Sequence, residues 1–128
     1  MRSSFCSKYI LLSALLLVTL LVGGCGETAN PPNAISLEQI PAELGKAFTS
    51  ATGETKGLSE SAIGALQSKN FPKASTTLDA LSQRPDLTMI QSRIVAGATM
   101  TINAALREAE SKGDAQAAEV LNQRRLTK

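Results

Sequence analysis

Neither histidine nor tryptophan occurs among the 128 residues of this sequence. Without histidine, the commonest general base and the commonest metal ligand are both missing, which removes most hydrolase and zinc-site chemistry. Aromatic residues are scarce, at one tyrosine and three phenylalanines, β-branched residues are scattered, and no Asn-Gly or Asp-Gly pair marks a hairpin. Strand signals are correspondingly weak. An excess of one charge is lacking too. Formal net charge is +2, and two of the thirteen basic residues, Arg2 and Lys8, lie in the first 24 positions, which hold no acid. The remaining eleven basic side chains are matched by eleven acidic ones. A near-neutral chain has no basic face with which to bind nucleic acid.

The one long apolar run stands near the N-terminus. Residues 2–8 (RSSFCSK) carry two positive charges, Tyr9 to Val22 are mostly apolar, and Gly23 and Gly24 precede Cys25. This is the three-part layout of a secretory signal. As a helix the fourteen-residue run rises about 21 Å, short of the ~30 Å hydrocarbon core, so a cleaved leader fits better than a permanent span.

The junction Leu21-Val22-Gly23-Gly24-Cys25 resembles the lipobox of bacterial lipoproteins: an aliphatic residue, two small residues and Cys. The resemblance implies that a diacylglyceryl group is joined to the Cys25 thiol. It also implies cleavage between Gly24 and Cys25, and further acylation, palmitate included, at the new terminus. The residue types suit that chemistry. A thiolate is a strong nucleophile for alkylation, and two glycines let the backbone extend into a narrow protease site. Two or more acyl chains hold a protein stably at a membrane, whereas one binds reversibly. Glu27 is not the Asp that often retains such proteins in the inner membrane, which favours the periplasmic face of an outer membrane over the inner membrane or the cell surface. Cys6 leaves with the leader, so the mature chain has no internal disulfide and depends on packing. The expected division is a signal peptide over 1–24, lipidated Cys25 and a Gly/Pro/Asn-rich tether over 25–35, and a helical domain over 36–128.

The domain reads as all-α, with four to five helices. Ala and Leu recur at three- and four-residue steps. Ser36-Leu37-Glu38-Gln39 has the order of a capping box, with Ile35 and Ile40 placed for a hydrophobic staple. Pro41 suits a first turn, so a short turn and then a helix over 41–51 are predicted, with Leu44 and Phe48 inward and Thr52-Gly53 as its end. A second helix, 56–69, places Leu58, Ala62, Ala65 and Leu66 on one stripe. A third opens at Pro72 with Ala74, Leu78 and Leu81 inward, and stops at Arg84-Pro85-Asp86. Thr88-Met89-Ile90-Gln91 is a second capping box and starts a long helix to about Ser111. The run IVAGA at 94–98 is apolar or small nearly all round, which predicts the most buried helix. Gly97 there costs about 1 kcal/mol of propensity and predicts a close backbone approach. Lys112-Gly113-Asp114 is a turn, and 115–125 a last helix with Ala118 and Leu121 inward.

Two turns are alike, Lys69-Asn70-Phe71-Pro72-Lys73-Ala74 and Gly113-Asp114-Ala115-Gln116-Ala117-Ala118. With Leu58, Ser61, Ala62, Ala65, Ala74, Leu78 and Pro85, they resemble tetratricopeptide (TPR) hairpins over about residues 56–125, with the signature Trp and Gly replaced. The segment order IPAELGKAF, NFPKASTTLDALSQRPDLT and GDAQAAEVLNQ is also similar to small helical lipoproteins of unassigned role, which implies an architecture and no activity.

Chemistry has few candidates. Ser59, Ser61, Ser75, Thr76 and Thr77 have no His partner, and Lys69 and Lys73 sit at a turn, which disfavours a Ser–Lys pair. Glu108 and Glu110 point to different helix faces. Asp79, Asp86 and Asp114 read as surface, turn and loop residues. No catalytic, metal or cofactor residues and no small-molecule substrate are expected. The expectation is a non-enzymatic interaction or structural module of the cell envelope, held to the membrane through Cys25. Its partner would be a protein, a peptide or a second copy of itself, since two hairpins bury little surface alone. A second reading comes from Lys128, which resembles the C-terminal Lys through which the murein lipoprotein of enteric bacteria is joined to peptidoglycan.

Overall fold

Glycine, asparagine and proline set the turns of this chain, and helices fill the intervals between them. The computed structural model describes residues 33–127. The leader, Cys25, residues 26–32 of the tether and Lys128 lie outside the described residues. Five helices follow in order: α1 (Ile40–Ala47), α2 (Gly53–Gln67), α3 (Phe71–Ser82), α4 (Met89–Ser111) and α5 (Ala115–Leu126). No strand occurs among the described residues, and none of their helices is long and apolar enough to cross a membrane.

The helix starts show which sequence signals operate. At α4 the capping box forms as read: the Gln91 amide donates to Thr88 Oγ1 at 3.2 Å and the Thr88 amide to Gln91 Oε1 at 2.8 Å. At α1 it does not. The Gln39 and Ile40 amides both donate to the Ser36 carbonyl, making a tight turn before the helix. Ser36 therefore lies one turn upstream of the Gln39 N-cap, which has no side-chain cap bond. Pro41 then occupies the first turn, where its missing N–H leaves no gap in the ladder. α1 is also shorter than the 41–51 predicted, with Phe48 as its C-cap. Gly53 adopts φ +58° and opens α2 rather than closing α1.

The two similar turns are built alike. After α2 the Asn70 amide donates to the Ala65 carbonyl and the Lys69 amide to that of Leu66; after α4, Asp114 and Gly113 donate in the same way to Ala109 and Glu110. Each is a Schellman C-terminus whose last residue caps the next helix. Asn70 Oδ1 accepts from the Lys73 amide at 3.0 Å, and Asp114 Oδ1 from Gln116 and Ala117 at 2.9 and 3.1 Å. The left-handed position is Gly113 in one turn (φ +90°) and Lys69 in the other (φ +57°). The buried registers differ by one residue, however. Ala74 is fully buried in α3, but its counterpart Ala118 is only half-buried, and Ala117 takes the core position in α5. The prediction of Ala118 is corrected accordingly: Ala117, Leu121 and Arg124, at steps of four and three, share the inward face of α5.

The helices pack in a ring. α1 meets α2, α2 meets α3, α3 meets α4, and α4 returns to α1, while the backbones of the diagonal pairs stay apart. α5 lies outside this ring, against α4 and α3. α2 and α4, the first helices of the two hairpins, are thus separated rather than stacked side by side. Ile40 and Leu44 of α1, Leu78 and Leu81 of α3, and Ile102 and Leu106 of α4 are fully buried at the centre, with Ala62 and Ala65 letting α2 approach.

Gly97 has the close backbone contact that its place in α4 predicts, and the approaching backbone is the chain just before α1. A Cβ at Gly97 would lie 2.6 Å from the Asn33 carbonyl oxygen and 3.1 Å from Ile35 Cγ1. Four residues on, Thr101 Oγ1 donates to the Ile35 carbonyl at 2.5 Å. Asn33 to Ile35 form a strap across α4, and Ile35 packs on the core. Gly97→Ala is expected to lift this strap. Overpacking of 1–3 kcal/mol outweighs a helix-propensity gain of about 1 kcal/mol, for a net loss of about 1 kcal/mol. Amide exchange at Gln39 and Ile40, which donate to the Ser36 carbonyl beside the strap, measures it: protection is lost there first, with α4 still protected.

Candidate binding site

The polar side chains that could do chemistry are mostly engaged within the fold, some between helices and some within one. Thr55 is buried in the first turn of α2 and donates to Asp86 Oδ2 at 2.7 Å. Arg84 reaches Thr55 Oγ1 and Asp86 Oδ1, both at 3.2 Å, and Glu54 at 2.6 Å. The α3–α4 loop is thereby fastened to the start of α2. The Thr55 bond, aided by the Arg84 charge, holds the Asp86 carboxyl below its ordinary value.

A second cluster fastens α5. Arg124 donates to the Asp79 carboxylate, with its Nε at 3.1 Å, to Asn103 of α4, and to the Ser75 carbonyl at 3.5 Å. Asp79 is therefore an interhelical partner rather than a plain surface residue. The basic pair at 124–125 lies within a helix, since α5 continues to Leu126, and Arg125 pairs with Glu110 at 3.6 Å. Glu108 pairs instead with Lys112 at 2.6 Å, a contact that lowers its pKa. The two glutamates thus have separate partners, on separate faces as predicted.

The hydroxyls are engaged likewise. Ser59 donates to the Lys56 carbonyl at 2.8 Å, Thr76 to Pro72 at 3.2 Å and Thr77 to Lys73 at 2.9 Å. Ser61 is half-buried in α2. Ser75 differs: its Oγ is buried and has no hydrogen-bond partner, while Lys69 and Lys73 are exposed. Asp114 serves as the α5 N-cap. Among the described residues no three Cys, Asp or Glu side chains group to hold a metal ion. Cys25 and Lys128 lie outside them.

The concave feature is apolar and stands at one end of the ring, where α1 and α3 begin and α2 and α4 end. Leu37 and Phe71 form a shared ridge. On one side, Pro41, Leu66 and Lys69 help to line a cavity of about 440 Å³. On the other, Ala105, Glu108, Ala109 and Lys112 line a second of about 220 Å³. The larger volume lies within the ordinary range for a bound organic group or a partner's side chain. The tight turn after Ser36 places Leu37 here, and the Asn70 cap places Phe71 on the first turn of α3. Lys69 brings a cation to the rim in a left-handed conformation that costs a non-glycine residue about 1 kcal/mol. Phe71 is in step with Ala74, Leu78 and Leu81, and Leu37 with Ile40, Leu44 and Phe48, so each lies one turn out along an apolar stripe. What the spacing does not show is that the two stripe ends meet.

The chain matches no family model, no characterised protein and no solved structure.

Two substitutions check the site's electrostatics and its buried hydroxyl. Asp86 has a lowered folded pKa, so its contribution to stability is full above its ordinary 3.8 and disappears as pH falls through the lowered value. Thr55→Val removes the main cause. The variant's deficit in urea midpoint relative to wild type is expected to be largest near neutrality and to vanish in strong acid. Ser75→Ala deletes a buried, unpaired hydroxyl, so thermal stability is expected to hold or rise by up to about 1 kcal/mol.

Proposed function

We propose that the chain is a bacterial envelope lipoprotein whose helical domain is a non-enzymatic interaction module. In this reading the leader is removed before Cys25, acyl groups on Cys25 hold the protein to a membrane, and residues 26–32 link anchor to domain. The outer membrane, periplasmic face, fits the absence of Asp after the Cys. The observation that carries the proposal is the ordered signal of basic start, apolar run and Leu21-Val22-Gly23-Gly24-Cys25. The domain adds support of a different kind. Its hairpins α2–α3 and α4–α5 share one turn design, as TPR-like hairpins would. Its polar side chains are used in joining helices, whereas the depression beside Leu37 and Phe71 leaves an apolar surface open to a protein or peptide partner or a second copy. A partner's aliphatic or aromatic side chain would sit on that ridge, and Lys69 would favour an acidic neighbour.

Mass spectrometry of the protein recovered from membranes of an expressing bacterium tests the anchor. The expected N-terminal peptide begins at Cys25 and carries diacylglyceryl. Cys25→Ser is expected to abolish metabolic palmitate labelling and leave the precursor uncut. Undiminished labelling and membrane recovery of Cys25→Ser would remove the proposal.

A further inference from the structure

The ring leaves one side of α4 uncovered by any other helix, and that side has a consistent composition. Positions 89, 93, 96, 100, 104 and 107 follow one another at steps of three and four, so they share a face. They are Met89, Arg93, Ala96, Met100, Ala104 and Arg107. Met89 is 75% exposed and Met100 48%, and both arginines and Ala104 are exposed as well. Ile90, beside Met89, is 72% exposed. These residues include three of the five large apolar side chains that stand exposed among the described residues. No acid occupies the face between the two arginines, and Glu108 just beyond it is neutralised by Lys112. Its pattern is apolar with cationic brackets.

The incoming chain arrives on the same helix. Gly97, which touches the Asn33 carbonyl, neighbours both Arg93 and Met100 on the helix surface. From Cys25 to Asn33 is eight residues, which reach at most about 29 Å fully extended and average about 16 Å as a flexible coil. Two layers of helices are about 20 Å thick. At its average reach, though not at full extension, an acylated Cys25 would bring α4, rather than the diagonally opposite α2, to the lipid.

We infer that the Met89–Arg107 face of α4 is the domain's membrane-apposed surface, resting on anionic phospholipid headgroups with Arg93 and Arg107 on phosphates and Met100 toward the acyl boundary. This inference rests on the acylation of Cys25 proposed above. Anionic lipid supplies the complementary charge that a neutral surface does not, and long arginine stems let their guanidinium groups stay at headgroup level above an apolar contact. An amphipathic surface of this kind settles about 5–10 Å into the interface.

The test uses the processed, acylated protein in vesicles of phosphatidylglycerol and phosphatidylethanolamine, and in vesicles of phosphatidylcholine. Because Cys6 leaves with the leader and acylation caps Cys25, an introduced thiol is the sole labelling site. A fluorophore is placed by Met100→Cys, or by Glu60→Cys on the exposed side of α2, and quenched by spin-labelled lipid. Quenching at position 100 is expected to exceed that at 60 by about twofold or more in anionic vesicles, as shallow interfacial insertion requires. Arg93→Glu with Arg107→Glu is expected to erase the difference, as is phosphatidylcholine. Equal quenching at the two positions in acylated protein overturns the inference and leaves the anchor standing. So does a disulfide dimer through position 100, which would assign the face to a second copy. Absence of the acyl mass at Cys25 removes the anchor and this inference together.

Discussion

The docking of α1 on α4 closes a ring that the three longer helices leave open. α1 has only eight residues, too few to be helical alone in water, so its structure is imposed by what it touches. Ile40, Leu44 and Phe48 place their side chains in the core. At its end, the buried Gln91 donates to the Ala47 carbonyl at 3.0 Å, satisfying a group that a helix terminus leaves without a partner. Before its start, Ile35 is held on α4 by Thr101. Removing α1 would expose the α2–α4 core along its length. In a domain of this size, with no disulfide among the described residues, little else could compensate.

That dependence explains what could be read from the sequence and what could not. The capping box of α4 was legible because it is local, a side chain meeting an amide three residues away, whereas Asn70 and Asp114, which read as turn residues, proved to be the caps of α3 and α5. The α1 box had the same letters but failed, because Pro41 and the turn at Ser36 moved the helix start. Gly97 announced a close approach, yet nothing local named the strap as the approaching segment; that pairing spans more than sixty residues. Ala117 rather than Ala118 lies in the core because it shares a face with Leu121 and with Arg124, whose partners Asp79 and Asn103 are on other helices. The Leu37–Phe71 ridge was hidden because its two residues come from different turns, and only the closed ring makes them adjacent.

The polar chemistry of the domain follows from its small core. With so few large apolar side chains, half-buried polar clusters join the elements that packing alone holds weakly. Glu54, Thr55, Arg84 and Asp86 fix the α3–α4 loop, and Asp79, Asn103 and Arg124 fix α5. Their carboxylates, Glu54, Asp86 and Asp79, are partly or largely exposed, so each ion pair contributes about 0–1 kcal/mol and the clusters act chiefly by fixing where the elements sit. Residues so engaged are not free to bind anything else. Two surfaces remain available: the apolar depression at the end of the ring and the outer side of α4, apolar between Arg93 and Arg107.

These two surfaces are oriented differently, and the difference has a mechanical consequence for the proposed anchoring. If α4 lies along the lipid surface, the bundle axis lies in the same plane. The depression, being at the end of that axis, then opens sideways into the aqueous layer next to the membrane, rather than toward or away from the lipid. A partner in bulk solvent would have to descend to headgroup level to reach Leu37 and Phe71. A membrane-held partner, or a second acylated copy moving in the same leaflet, would meet them directly at an effective concentration raised by confinement to the surface. A shallow apolar site that would bind weakly in free solution could therefore function there without further contacts. At its average reach the eight-residue interval between Cys25 and Asn33 favours that geometry, and the strap over Gly97 fixes the point at which it would act.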